Sequence, residues 1–254
     1  MNFHMKLSKY LVLLGSLCVT LSHAADPHAS TARWSYQGET GPAHWGELSP
    51  DNAACRDGYS QSPIDLRHER AQHGRGRNFQ FHYRPSVFSL VNNGHTIQAS
   101  AADAANALDS NDDAYTLKQF HFHTPSEHEV NGRRYPMELH LVHQDGQGNL
   151  TVVGVFIKEG RKNTALAPLF NRLPAEGEAA RSVTIDPAAL LPDGYQALRY
   201  VGSLTTPPCT EQVNWIVLEK PIELSKAQIA AFRKLFPNNH RDVKPDGGRE
   251  VDEE

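Results

Sequence analysis

Two short stretches, QFHFH at 119–123 and MELHLVH at 137–143, constrain this chain more than anything else in it. Each alternates polar and bulky apolar residues with a period of two, the pattern of a strand whose faces meet different surroundings. Gln119, His121 and His123 then share one face, and Glu138, His140 and Val142 share one face of the second strand. The turn signal Asn131-Gly132 lies between them, so the strands are expected to pair as antiparallel neighbours. That pairing brings His121, His123 and His140 to one point. Three neutral imidazoles with a fourth position open is the donor set of a catalytic zinc, whereas a structural zinc more often uses cysteines. Carboxylate-rich clusters suit magnesium or calcium instead. Gln119 and Glu138 have the parity to accept the outer ring N–H of His121 and His140. The plain alternative is a row of half-exposed histidines on a sheet face; H-x-H alone does not decide against it, but E-x-H a strand away does. His128 and His143 are read as structural, His143 on the face opposite His140.

The remaining segments also read mostly as strands. HTIQAS (95–100), YTLKQFHFH (115–123), MELHLVHQ (137–144), LTVVGVFIK (150–158) and VNWIVLE (213–219) alternate or run apolar. Asn93-Gly94, Asp145-Gly146 and Gly148-Asn149 supply further turns. Helices are expected over 163–173 and 225–236, the second capped by Ser225 and stopped by Pro237. The closing EVDEE reads as a frayed acidic tail. These elements imply a strand-rich domain around one large sheet with helices at its margins.

The first residues read as a targeting segment. Lys6 and Lys9 precede an apolar run from Tyr10 to Leu21, and Ser22-His23-Ala24 follows, the signature of a secretory signal cleaved after Ala24. Twelve apolar residues are too few for a bilayer, which needs about 20. Residues 1–24 are therefore assigned to a leader and 25–254 to a single domain. Cys18 leaves with the leader, and Cys55 and Cys209 remain as a pair in an oxidising compartment. A bridge between them would stabilise the fold by about 2–4 kcal/mol; two free buried thiols are the alternative. A net charge of −4 without a basic face argues against a nucleic-acid partner, and Arg75-Gly76-Arg77 reads as a solvated loop.

The string QFHFH…SEH…ELHLVH resembles the zinc-binding core of the α-class carbonic anhydrases. Further matches are GPAHWGEL (41–48), QSPIDL (61–66), NNGHTIQ (92–98), SLTTPPCTEQVNWIVL (203–218) and NNHR (238–241). The resemblance implies one large, twisted, mostly antiparallel sheet of about ten strands with short peripheral helices, mainly β in class (α+β). It implies a single Zn²⁺ held by His121, His123 and His140, and reversible hydration of carbon dioxide to bicarbonate and a proton. It matches Cys55 and Cys209 to the disulfide of secreted members, and Ser62-Pro63 and Pro207-Pro208 to the family's cis peptides.

The resemblance also distributes roles. Thr205 would accept a hydrogen bond from the attacking hydroxide, and Glu127 would accept one from the Thr205 hydroxyl. Val142, Val152, Leu204, Val213 and Trp215 would form an apolar wall for carbon dioxide, with Thr206 beside them. Val142 has support of its own, since it shares a face with His140. His95 would shuttle the proton outward, through waters ordered by Tyr36, Asn93, Gln98 and Thr206. Gln98 stands where one branch has asparagine, another amide. Only Thr124-Pro125-Ser126 separate His123 from Glu127, as in the bacterial branch with its more open rim. Expected ligands are carbon dioxide, bicarbonate, water, and sulfonamide and anion inhibitors; the resemblance leaves room for a homodimer and for a side esterase activity. A periplasmic or secreted location follows from the leader, with no membrane insertion after cleavage. Metal-free binding modules of this kind should lack at least one zinc histidine, and this chain keeps all three. A dedicated ester hydrolase should need a wider, more polar cleft. A zinc buffer is a poor fit, because His4, His23 and His28 lie in the leader or the N-terminal tail.

Overall fold

A computed structural model of the chain describes Met1 and residues 33–73, 79–111 and 113–254. The expected leader beyond Met1, and Arg75-Gly76-Arg77, lie outside the described residues. Among them are four short α-helices: α1 (Trp45–Leu48), α2 (Ala54–Asp57), α3 (Ala167–Phe170) and α4 (Lys226–Leu235). The first seven strands are β1 (Asp65–Leu66), β2 (Gln72–His73), β3 (Phe79–His82), β4 (Ser86–Asn92), β5 (Ile97–Ala101), β6 (Ala107–Ser110) and β7 (Asp113–His123). The next seven are β8 (Glu129–Val130), β9 (Met137–Gln144), β10 (Leu150–Glu159), β11 (Arg181–Ile185), β12 (Ala197–Ser203), β13 (Glu211–Leu224) and β14 (Asp252–Glu253).

Twelve of these strands form one sheet, in the order β11-β4-β5-β7-β9-β10-β13-β12-β14-β2, with β3 and β6 joined along β7. Its pairings are antiparallel except β10 with β13 and β14 with β2. The expected architecture is therefore present, with one parallel seam near the middle. β1 and β8 pair separately.

Alternation explains why both faces can be buried. On β7, Phe120 and Phe122 enter one core with Leu139 and Leu141 of β9 and Val153 and Val155 of β10. α4 covers that core with Ile229 and Phe232. Each such side chain contributes about 1.5–3 kcal/mol by leaving water. The opposite face holds the histidines, and beyond them a second core of Ile64, Val152, Phe156, Tyr200, Val213, Trp215 and Val217. The disulfide Cys55–Cys209 forms, with Cα atoms 5.0 Å apart, and packs on Trp45. Ser62-Pro63 and Pro207-Pro208 are cis, as is Thr124-Pro125.

Three expectations are corrected. The helix expected over 163–173 is only one turn, Ala167–Phe170. Pro168 sits at its second position, and proline's missing N–H and ring prevent a helix from running through from 163. The acidic tail is not frayed: Val251 is buried, β14 pairs with β12 and β2, and Arg199 Nη1 meets Glu254 Oε2 at 2.9 Å. Sequence polarity hid this, because the strand is held by backbone bonds and one buried cation. β13 also runs past the expected 219. Leu218 pairs with Val155 and Ile222 with Ile157, so residues 219–221 bulge. The bulge accommodates Pro221, which cannot donate to a ladder.

α4 matches its expected limits. Ser225 caps it by accepting from the Gln228 N–H, and Gln228 returns the bond to the Ser225 backbone.

Candidate metal centre

β7 and β9 pair antiparallel with His121 directly opposite His140. A β-bulge between Leu117 and Gln119 precedes the ligand run and sets its parity. The ring centroids of His121, His123 and His140 lie 4.9, 5.3 and 4.6 Å apart pairwise. One nitrogen from each ring lies within 4.8 Å of the other two.

Each outer ring nitrogen is engaged by an oxygen. Gln119 Oε1 is 2.8 Å from His121 Nδ1, the Asn239 carbonyl 2.7 Å from His123 Nδ1, and Glu138 Oε1 2.8 Å from His140 Nε2. These acceptors fix the tautomers, leaving His121 Nε2, His123 Nε2 and His140 Nδ1 as the inward lone pairs. His123 Nε2 is buried without a hydrogen-bond partner, and so is Glu127 Oε2, 3.5 Å away. A buried, unpaired imidazole nitrogen is costly unless something fills its place. Burial, with the neighbouring imidazoles adding to it, pushes His121 well below the usual histidine range; burial pushes His123 to about 4 against the pull of the Asn239 carbonyl. Burial lowers His140 too, with Glu138 opposing. The three rings are thus neutral and open to a metal without displacing protons. A soft-to-borderline divalent ion that accepts three nitrogens and retains one open position fits this set.

Glu138 anchors more than one residue. It accepts from His140, from His128 Nδ1 at 2.7 Å, and from the backbone N–H groups of Glu127 and His128 at 2.9 Å. Burial alone would raise this carboxyl, but His128 and His140 more than reverse that and hold it well below its ordinary value. His128 has its other nitrogen 2.7 Å from the Tyr200 hydroxyl. Its two nitrogens are engaged, so it takes the structural place expected of it. Gly154 stands opposite His140 on β10, and a Cβ there would lie 3.0 Å from Glu138 Oε1.

Glu127 is fully buried. Its Oε1 accepts the Arg241 backbone N–H at 2.8 Å. Burial raises its carboxyl to about 7, while His140, the Thr205 hydroxyl and the Arg241 N–H pull the other way. Thr205 is buried beside it. Val152 pairs with Val142 on one side and Trp215 on the other. Val213 and Leu204 join the same apolar cluster, and the Trp215 ring meets His140 edge-on at 4.9 Å. Thr206 is half-buried, its carbonyl accepting from the Cys209 N–H.

Outward from His121, Gln98 is its register partner on β5. Asn93 Nδ2 reaches toward Gln98 Oε1 at 3.5 Å, and Asn93 Oδ1 accepts from the N–H groups of His95 and Thr96. His95 is half-buried at this turn, stacked on Trp34 with centroids 3.6 Å apart. Partial burial lowers its pKa, with Glu176 opposing. Tyr36 packs edge-on against Trp34 and Trp45, its hydroxyl held protonated by burial and by the charge of Glu127.

The family model for eukaryotic-type carbonic anhydrase matches residues 40–253. The chain belongs to the α-class carbonic anhydrases. A carbonic anhydrase of Pectobacterium carotovorum is 39% identical over 243 residues, covering 94% of this chain and 96% of its own. One from Nostoc sp. is 42% identical over 236 residues, with 91% and 88% covered. The α-carbonic anhydrase of Thermovibrio ammonificans, solved with the inhibitor sulfanilamide, superposes with a TM-score of 0.84. It is 43% identical, covering 87% of this chain and 98% of its own. Like these relatives the chain is an enzyme, a carbonic anhydrase, and its reaction is the hydration of carbon dioxide.

Two contributors to this carbonic anhydrase site were not read as site residues from the sequence. Asn239 gives its carbonyl to His123 and its side chain to Thr124 N–H and to the Phe122 and His95 carbonyls. Arg241 binds Glu127 through its backbone, and its guanidinium reaches Gln61 Oε1 and the Ser62 and Cys55 carbonyls. Both lie in the NNHR string, which carried the family likeness but has no periodicity from which a role could be deduced.

Proposed function

We propose that this carbonic anhydrase is zinc-dependent, that His121, His123 and His140 hold the ion, and that His95 carries the product proton to solvent. The observation behind the metal assignment is the convergence of three neutral ring nitrogens whose outer partners are all tied off. When bound, zinc supplies Lewis acidity that makes water a nucleophile near neutral pH; carbonic anhydrase is itself the reference case for that shift, from about 15.7 to about 7.

The chain's own residues do the rest. Val142, Val152, Leu204, Val213 and Trp215 offer carbon dioxide an apolar surface with few competing hydrogen bonds. Thr205 Oγ1 would accept a hydrogen bond from the attacking oxygen while its own O–H donates one to Glu127. That chain aims a lone pair at the substrate carbon and disfavours ligands that cannot donate to Thr205. Arg241 keeps Glu127 in place through its backbone. Asn93 shapes the turn that presents His95, and Tyr36, Gln98 and Thr206 offer hydroxyls and an amide to the intervening water. The same donor-selective geometry supports binding of deprotonated sulfonamides and small anions, and attack on activated esters as a side activity.

The disulfide supports an oxidising destination, periplasmic or secreted, reached through the leader at 1–24. Among the described residues no helix is long and apolar enough to cross a membrane.

The test is stopped-flow carbon dioxide hydration on protein with its metal counted. One zinc per chain, activity lost on chelation and restored by zinc, and loss of both metal and activity in His121→Ala are the expected results. Full activity without metal would refute the assignment.

A further inference from the structure

A second group of metal-ligating side chains lies outside the catalytic centre. His68 follows the short strand β1, Glu219 lies in the bulge of β13, and Glu253 is on β14. One donor atom from each lies within 4.8 Å of the other two.

Three features distinguish this group from solvated surface charge. Glu219 Oε1 is buried and has no hydrogen-bond partner. His68 Nε2 stands 3.4 Å from Glu219 Oε2. That is longer than a charge-assisted hydrogen bond of about 2.7–2.9 Å. It matches the edge of a tetrahedron whose centre lies about 2.0–2.2 Å from each donor, about 3.3–3.6 Å. Glu219 and Glu253 also face each other as like charges, and among the described residues no lysine or arginine forms an ion pair with either. Burial already raises the Glu219 carboxyl, and Glu253 adds to that, with His68 alone opposing. A divalent cation held among these donors would cancel the repulsion.

We propose that His68, Glu219 and Glu253 form a second divalent-cation site, of the mixed imidazole and carboxylate kind that suits zinc. Its position gives it a structural task. It joins three segments distant in sequence and fastens β14, two residues long at the end of the chain, to the bulge of β13. The bulge that admits Pro221 is what turns Glu219 away from the regular ladder, so the site depends on the irregularity of that strand.

The experiment is zinc titration of the one-zinc holoenzyme, with bound metal counted and the melting temperature recorded. Wild type should take a second zinc per chain, and its melting temperature should rise as that site fills. His68→Ala and Glu253→Gln, both at accessible positions, should each lose the second zinc and the rise while keeping the first zinc and its activity. A His121→Ala/His140→Ala variant should show the reverse, losing the first and keeping the second, so the two assignments fail separately. A wild type that stops at one zinc, or a second zinc that survives in either the His68 or the Glu253 variant, would overturn the proposal.

Discussion

His143 makes a quantitative prediction about acid stability. The ring is fully buried on the face opposite the metal ligands. Its Nδ1 lies 3.3 Å from the Thr151 carbonyl and its Nε2 2.6 Å from the Tyr83 hydroxyl. Burial holds the Tyr83 phenol protonated, so Tyr83 donates to Nε2 and the ring is neutral, with its own proton on Nδ1. A second ring proton would have to displace the phenol's and bring a charge into the core. Burial accordingly depresses the imidazole from 6.5 to about 4, against the pull of backbone carbonyls. The native state therefore refuses a proton that the unfolded chain accepts below about pH 6.5. Stability is unaffected above that value, falls by about 1.4 kcal/mol per unit as pH drops from 6.5 towards 4, and levels off below, where both states are protonated. Between pH 7.5 and 4.5 the loss from this one residue is about 2–3 kcal/mol. Urea unfolding of wild type and His143→Gln across that range isolates it, because contributions from metal release and other groups are common to both. The variant is expected to be less stable at pH 7.5 but to lose about 2–3 kcal/mol less on acidification. Parallel curves for the two proteins would refute the reasoning.

Three further outcomes are expected. Gly154→Ala places a methyl 3.0 Å from Glu138 Oε1; displacing the carboxylate that orients His140 should weaken zinc binding by about 10–100-fold in a competitive chelator titration. His95→Ala should slow turnover in weak buffer and recover with added imidazole; unchanged turnover in weak buffer would remove His95 from the proton path. Cys55→Ser/Cys209→Ser should lower unfolding stability by about 2–5 kcal/mol in denaturant titrations, with the zinc content unchanged, since the bridge packs on Trp45 rather than on the ligands.

The sheet was legible wherever a strand has unlike faces. The alternation of His121 and His123 with Phe120 and Phe122 could be read directly, because one face of β7 meets the core and the other the metal centre. β4 and β12 were not anticipated, since neither keeps a strict alternation of polar and apolar residues. The last strand was misjudged outright: an acidic pentapeptide carries no apolar period, yet backbone pairing and Arg199 retain it.

The sequence by itself determined which three histidines share a side of two neighbouring strands and which residues between them are available to support them, because strand parity is a local property of the backbone. Only the tertiary structure decided that the Asn239 carbonyl would hold His123, that Arg241 would fasten Glu127, and that Glu138 would serve His128 and His140 together. The Asn239 and Arg241 bonds join groups more than a hundred residues apart, and two of their atoms belong to the main chain, which is chemically the same at every position. A pattern of side chains cannot announce which peptide group will be delivered to a site; packing alone settles that.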